Sequence, residues 1–259
     1  MGIGRKRIYY QKIQETKDLT VKKAIEDLHL VHPAYGHKRV AMALGVGHNK
    51  TRRVMVKYNL KPPRRKGKKF FLTRSINTHH YTNLIRNLAA NKPDQIFVSD
   101  LTYLKFQGKN IYLATIEDLF TREIVAAQIS DKHDSSLALA AIKNVVAKHQ
   151  IPQIFHTDQG SEFMAQTVTS FLEKNNVKVS VSDKGSPWQN GYKESFFGRF
   201  KEESGDLNRF ETLGELVEEI YAHISYYNNL RIHTAHKMPP ARFKELFLAT
   251  DSVSQKSGT

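Results

Sequence analysis

Three carboxylates stand at positions that stability alone would not select. Asp100 interrupts the apolar run Ile96-Phe-Val-Ser-Asp-Leu-Thr-Tyr-Leu104. Asp158 closes Gln153-Ile-Phe-His-Thr-Asp158, directly ahead of Gln159 and Gly160. Glu194 lies within Ser186-Pro-Trp-Gln-Asn-Gly-Tyr-Lys-Glu-Ser-Phe-Phe-Gly-Arg-Phe-Lys201. A buried carboxylate is costly unless it is paired or binds a metal. Each residue taken singly also has an ordinary use: a buried ion pair for Asp100, a helix N-cap for Asp158, a surface position for Glu194. Taken together they suit two divalent cations. Their charge of −3, two magnesium ions at +4 and a scissile phosphodiester at −1 sum to neutrality, so such a cluster is balanced only with metals and substrate in place. Oxygen-only ligands favour magnesium, with manganese able to substitute, over zinc. Two metals about 3.5–4 Å apart can activate an attacking oxygen and stabilise a leaving one. Water could then nick a DNA strand and the new 3′-OH could attack a second, with no protein nucleophile.

The elements that must position these groups follow from pattern. Strands are expected over 95–105, 110–117 and 122–130, with Gly108 and Asn110 turning the first into the second. An alanine-rich helix follows over 135–149, a short strand over 153–158, a helix over 161–175, a strand over 177–182, and then two helices. The order implies a mixed α/β sheet with helices on its faces, whose central strands are apolar on both sides. Ligands of such sheets gather at the carboxyl ends of strands, where Asp158 sits. Ser186, Pro187 and Gln189 form a capping-box pattern for the helix that carries Glu194. Glu194 and Lys201, seven residues apart, share one face of that helix.

Charge divides the chain. Residues 1–91 hold 21 Lys+Arg against 4 Asp+Glu, a net of +17, whereas residues 92–259 hold 19 against 21, a net of −2, so the excess positive charge behind the overall +15 lies wholly in the first third. Such a segment matches a polyanion, and nucleic acid is the expected partner. Within it, residues 1–60 read as helical. A helix near 38–44, a break at Gly45 and Gly47 and a basic helix near 49–59 give a helix-turn-helix pattern, with Arg52, Arg53 and Lys57 facing outward to DNA. Residues 61–92, with Lys61-Pro-Pro-Arg-Arg-Lys66, read as a basic linker whose Arg64, Arg65 and Lys66 can follow a phosphate backbone. The expected division is therefore 1–60 helical DNA-binding domain, 61–92 linker, 93–245 catalytic core and 246–259 disordered tail. The absence of cysteine excludes disulfides and thiolate metal sites. No apolar run suits a membrane span or a signal peptide, so a cytoplasmic, nucleoid-associated protein is expected.

With these pieces in order, residues 93–240 resemble the integrase core shared by retroviral integrases and bacterial insertion-sequence transposases. The matching pieces are Ser99-Asp-Leu-Thr-Tyr103, His156-Thr-Asp-Gln-Gly-Ser-Glu-Phe163 and Ser182–Phe197. Thirty-five residues separate Asp158 from Glu194, the spacing for which the family is named. Tyr226-Tyr-Asn-Asn-Leu-Arg-Ile-His233 and Met238-Pro-Pro240 resemble its C-terminal signature, and Tyr35-Gly-His-Lys-Arg-Val40 with Asn59-Leu-Lys-Pro62 resembles the small helical domain of the insertion-sequence-three family. The resemblance implies a ribonuclease-H-like, mixed five-stranded sheet flanked by helices, behind a helix-turn-helix-like domain. It implies a transposase that nicks the 3′ ends of its element and joins the 3′-OH to DNA. Asp100, Asp158 and Glu194 would bind two magnesium ions, Lys201 would contact the terminal DNA, and His156 would lie near the site or simply be packed. Trp188 would stack on a base or pack, and Arg231 and His233 occupy family positions of underived role. Implied partners are double-stranded DNA carrying the terminal inverted repeats and the target, further copies of the chain in a dimer or larger assembly, and the upstream reading-frame product as a frameshift fusion. A phage or retroelement integrase, a ribonuclease H and a non-catalytic DNA-binding regulator are the alternatives.

Overall fold

The computed structural model describes residues 5–63, 81–148, 151–183 and 191–256, with side chains described within 13–63, 81–148, 151–183 and 196–251. The chain divides into two compact units. The first is helical: α1 (Arg5–Val31), α2 (His37–Leu44) and α3 (His48–Lys57). Val21, Ile25, Tyr35, Val40, Val54 and Met55 form its buried interior. Gly45 ends α2 at φ 63, the left-handed cap that glycine adopts without penalty, and its N–H bonds the Ala41 carbonyl. A three-residue turn then enters α3.

The second unit is built on β1 (Ile96–Phe106), β2 (Lys109–Asp118), β3 (Ile124–Ser130), β4 (Ile154–Thr157) and β5 (Lys178–Val181), in the order β3-β2-β1-β4-β5. β1 to β3 form an antiparallel meander, and β4 and β5 add in parallel beside β1. Gln107 (φ 46) and Gly108 (φ 76) make the two-residue β1–β2 turn. Positive φ at both positions matches the twist of the flanking strands. Asn110, expected in that turn, is already in β2.

Each face of the sheet has its own cover. Phe97, Ala114, Ile116, Phe155, Val179 and Val181 pack against α4 (Ser135–Lys148), α5 (Ser161–Met164) and α6 (Gln166–Lys174). Leu104, Phe106, Ile111 and Leu113, pointing the other way, pack against α7 (Gly191–Glu203) and α8 (Leu213–Asn229). The fold class is that expected: a mixed five-stranded sheet flanked by helices.

Three expectations are corrected. The helix expected over 161–175 breaks at Ala165, which is extended at φ −61, ψ 140. In one continuous helix Phe163 and Leu172, nine residues apart, would face about 180° apart. The break lets both reach the same core, where they are 1% and 2% exposed. The segment expected to be a disordered tail is helical through Lys256, as the end of α9 (Pro240–Lys256). Phe243 and Phe247 stack on Phe120, and Lys244 bonds Asp94 and Glu123, which ties the helix down. Finally, the end of the expected linker belongs to the second unit. The Val181 N–H bonds the Thr82 carbonyl, the Leu84 N–H bonds Ser180 Oγ, Tyr81 bonds Glu173 and Arg86 pairs with Asp183. Residues 81–86 thereby cover the outer edge of β5, which would otherwise present open backbone groups.

Candidate active site

Register brings the two aspartates together. β1 and β4 run parallel with Val98 opposite His156. Continued two residues along each strand, this register sets Asp100 opposite Asp158, which lies just past the end of β4; paired strands lie about 4.8 Å apart. β4 ends at Thr157, so beyond this point the β4 side of β1 is open. Alternation puts Asp100 on the same face as Thr102 and Leu104, the face that α7 covers.

Asp100 is partly buried, and one of its carboxylate oxygens accepts the Leu101 N–H at 2.8 Å. Asp158 Oδ1 accepts the Gly160 N–H at 3.0 Å. Burial pushes the Asp158 carboxyl above the usual range, and the Glu162 carboxylate adds to this against the opposing Gly160 hydrogen bond. Glu162 is held by His133 at 3.2 Å and by the Ser161 hydroxyl at 3.0 Å. A Cβ built on Gly160 would lie 2.9 Å from Glu162 Oε1 and 3.0 Å from Asp158 Oδ1. Both carboxylates thus crowd one glycine, and only glycine leaves them room. Sequence reasoning passed over Glu162 and His133; the signal was the second acid in Asp158-Gln-Gly-Ser-Glu162.

Glu194 belongs to the first turn of α7, whose first side chains lie outside the described residues, as do those of Trp188, Arg64, Arg65 and Lys66. Polar contacts hold the last turn of α7. Lys201 Nζ donates to Thr102 Oγ1 and to the Tyr103 carbonyl, both at 2.8 Å, and stands 5.2 Å from the Tyr103 ring centre. The helix is thereby joined to β1 two residues beyond Asp100. In the same last turn, Glu203 receives Arg231, which is 2% exposed. Among the described residues no three acidic, imidazole or thiol groups form a ready metal cluster.

His156 is wholly buried. Its Nδ1 lies 2.9 Å from Ser180 Oγ and its Nε2 3.0 Å from Ser182 Oγ. Burial lowers its pKa to about 4, so it is neutral. Of the two readings offered by sequence, this is the packed histidine. The His233 N–H bonds the Met238 carbonyl at 3.0 Å. In the helical unit Arg52 is exposed, whereas Arg53 and Lys57 turn toward Asp18. Arg53 grips both Asp18 oxygens at 2.6 Å, and Lys57 lies 3.3 Å from one. Those bonds hold the buried Asp18 carboxyl far below the ordinary range, against the cost of burial. The two cations expected to face outward are therefore also the lock between α1 and α3, at 46% and 41% side-chain exposure.

Comparison with known proteins bears on this geometry. Two integrase core domain models match residues 90–187 and 175–240. An uncharacterized transposase-like protein of Haemophilus influenzae is 32% identical over 189 residues, covering 72% of this chain and 87% of the relative. The putative transposase InsK of insertion sequence element IS150, from Escherichia coli, is 28% identical over 243 residues, covering 89% and 85%. The chain belongs to the insertion-sequence-three family of transposases. A chain of the simian T-cell lymphotropic virus intasome, solved in complex with a phosphatase regulatory subunit, has the same fold. Its TM-score is 0.51 at 16% identity, covering 84% of this chain and 73% of that one. In this transposase family member, then, the integrase core spans the sheet and both of its helical covers. No described helix is long and apolar enough to cross a membrane.

Proposed function

We propose that the protein is a DNA transposase that nicks the 3′ ends of its insertion element and joins each released 3′-OH to target DNA. One observation supports the reading: the parallel register of β1 and β4, with Val98 opposite His156, runs on toward Asp100 and Asp158, and α7, which bears Glu194, packs on the β1 face that holds Asp100. The donor set suits the metals the family implies. Both aspartates offer hard oxygen ligands, and a cation beside Asp158 would offset the burial and the Glu162 charge that raise its carboxyl. Asp100, Asp158 and Glu194 would hold two magnesium ions, or manganese in their place, which supply Lewis acidity to the attacking and leaving oxygens.

The chain's own groups do the rest. The Gly160 amide bonds one oxygen of Asp158 and the Leu101 amide one oxygen of Asp100, which orients both carboxylates. Lys201, half-withdrawn onto Thr102, is placed to meet a phosphate on the DNA strand entering beside Asp100. Arg52, with the outer faces of Arg53 and Lys57, and Arg64, Arg65 and Lys66 supply sequence-independent grip on double-stranded DNA. The division into a DNA-binding segment over 1–60, a basic tether and a catalytic core follows the charge asymmetry. Two element ends must be processed together, so a dimer or larger assembly on DNA is the working form, with the upstream reading-frame product as its fusion partner. The site of action is the nucleoid.

The test uses purified protein and a plasmid carrying the native flanking DNA, with magnesium or with EDTA, beside Glu194→Gln. Strand-specific nicking and joining at the element ends, lost with EDTA and in the variant, is the expected result. Should the protein and its upstream fusion both bind the ends without cleaving them, the reading gives way to that of a DNA-binding regulator.

A further inference from the structure

The C-terminal signature Tyr226-Tyr-Asn-Asn-Leu-Arg-Ile-His233 includes a buried arginine that the chemistry above does not use. Arg231 Nε lies 3.1 and 3.2 Å from the two oxygens of Glu203, and Nη2 lies 2.6 Å from Oε1. This is a forked, two-point contact that fixes orientation as well as distance. Both side chains are nearly sealed from solvent, at 2% and 6% exposure. Arg231 is itself held in place. Its N–H bonds the Tyr226 carbonyl at the end of α8, and its guanidinium lies 5.9 Å from the Tyr227 ring centre. His223 closes the far side, 3.8 Å from Glu203 and edge-on to Phe200.

Glu203 is the last residue of α7, the helix that bears Glu194. The nine steps from 194 to 203 span about 13.5 Å of axis and turn about 180°, so position 203 lies on the side of the helix opposite position 194. Position 201, seven residues on, returns to the side of 194. The rest of the described α7 packing is aromatic: Phe196, Phe197 and Phe200, all buried against the sheet and α8. Apolar burial is non-directional. It holds a helix down but leaves small rotations and slides cheap. A metal-ligating group tolerates neither. Buried ion pairs, in turn, add little to stability compared with apolar residues of equal volume, and their attested use is to fix one geometry among several.

We infer that Arg231, through Glu203, is a positioning residue for the active site: it sets the rotation and register of α7 and hence the place of Glu194. The inference rests on the strand-transfer reading above. It also gives the signature arginine a task at the rear of the catalytic helix, away from DNA.

The experiment compares wild type, Arg231→Lys and the double variant Glu203→Met/Arg231→Met in strand transfer, with melting temperature and amide hydrogen exchange of residues 191–203 measured on each. The methionine pair refills the volume without the fork. It should melt near wild type, exchange faster along α7 and lose at least about tenfold in kcat with KM for DNA unchanged, since small misplacements of reacting groups carry penalties of this order. Arg231→Lys keeps the charge but not the fork and should show the same kcat-selective loss, smaller in size. A double variant with wild-type kcat and wild-type α7 exchange overturns the inference. If the double variant does not fold, Arg231→Lys decides: wild-type kcat and exchange there overturn it equally. Wild type and its upstream fusion both inactive on element-end DNA would sink the strand-transfer reading instead, and α7 exchange in the variants would still decide whether the fork sets the helix.

Discussion

Phe97 and Asp100 leave β1 three residues apart and on opposite faces, and the two faces are filled differently. Under α4 and α6, Phe97, Ile116, Phe155 and Val179 meet Ala138, Ala141, Ile142, Val168 and Leu172, an interior of aliphatic and aromatic groups. Under α7 and α8, aromatic packing around Phe196 and Phe200 is interleaved with Thr102 bonded to Lys201 and with the Glu203–Arg231 fork, and the same sheet face carries Asp100 and His156 between two serines. The first face derives its free energy from burial of apolar area, which needs no particular orientation. The second gives up part of that gain to directional contacts, which fix where side chains sit. Stability and position are thus assigned to opposite sides of a single sheet.

The sharpest way to break this comparison is to remove one group from each side. Asp100→Asn should abolish strand transfer, by a factor on the order of 10³ or more, as loss of one member of a cooperating catalytic set does. Its melting temperature should stay at or above that of wild type. Phe155→Ala, 1% exposed on the other face, should do the reverse. It should cost about 3–5 kcal/mol of stability and leave kcat per folded molecule unchanged. Urea denaturation and single-turnover assays on both variants provide the check. An Asp100→Asn protein that loses stability as Phe155→Ala does would end the division of labour argued here.

Much of the fold was legible because burial on both sides writes itself into sequence as continuous apolar runs. β1 to β5 fall within a residue or two of their expected bounds. Asp100 announced itself as the one charge in such a run. Contacts made across elements were not legible. Arg231 and Glu203 are 28 residues apart with a helix between them, and nothing local to either marks the pairing. Arg53 and Lys57 were placed outward by helical spacing, which does not see that α1 brings the buried acid Asp18 to the same place. The break at Ala165 escaped for a related reason: helical periodicity is a local signal, and the demand on Phe163 and Leu172 is tertiary.

A second, smaller effect separates the faces by pH. His223, 8% exposed between Phe200 and Glu203, has its pKa lowered to about 4, by burial first and by Arg231 second, with Glu203 opposing. The unfolded chain takes up this proton near 6.5 and the folded chain only near 4. The unfolded state therefore binds more protons between those values, and stability falls as pH drops through that window. From this residue the loss should approach about 3 kcal/mol at pH 4. Buried His156, on the same face, has the same sign. His223→Gln should flatten part of the slope of urea midpoint against pH between 7 and 4. A slope identical to that of wild type would mean that the α7/α8 face already admits solvent or charge.

The smallest expected change in stability comes at Gly160, and it tests whether position can be lost while packing is kept. Its backbone is ordinary extended chain, at φ −62 and ψ 136, so alanine meets no conformational penalty. The penalty is spatial. The new Cβ would lie 2.9 Å from Glu162 Oε1 and 3.0 Å from Asp158 Oδ1. Glu162 is the tip of a flexible side chain and can yield, at a cost of about 1 kcal/mol or less. Asp158 is bonded to the Gly160 N–H itself and yields only by leaving the rotamer that this bond holds. Gly160→Ala should therefore lower strand transfer about tenfold or more while moving the urea midpoint little. Adding Glu162→Ala removes one of the two contacts and frees space into which Asp158 and the new methyl can relax. The double variant should recover part of the lost rate, so that the two substitutions combine non-additively. If Gly160→Ala retains full activity, Asp158 has slack at this point, and the tight placement attributed to the α7 face does not extend to the carboxyl end of β4.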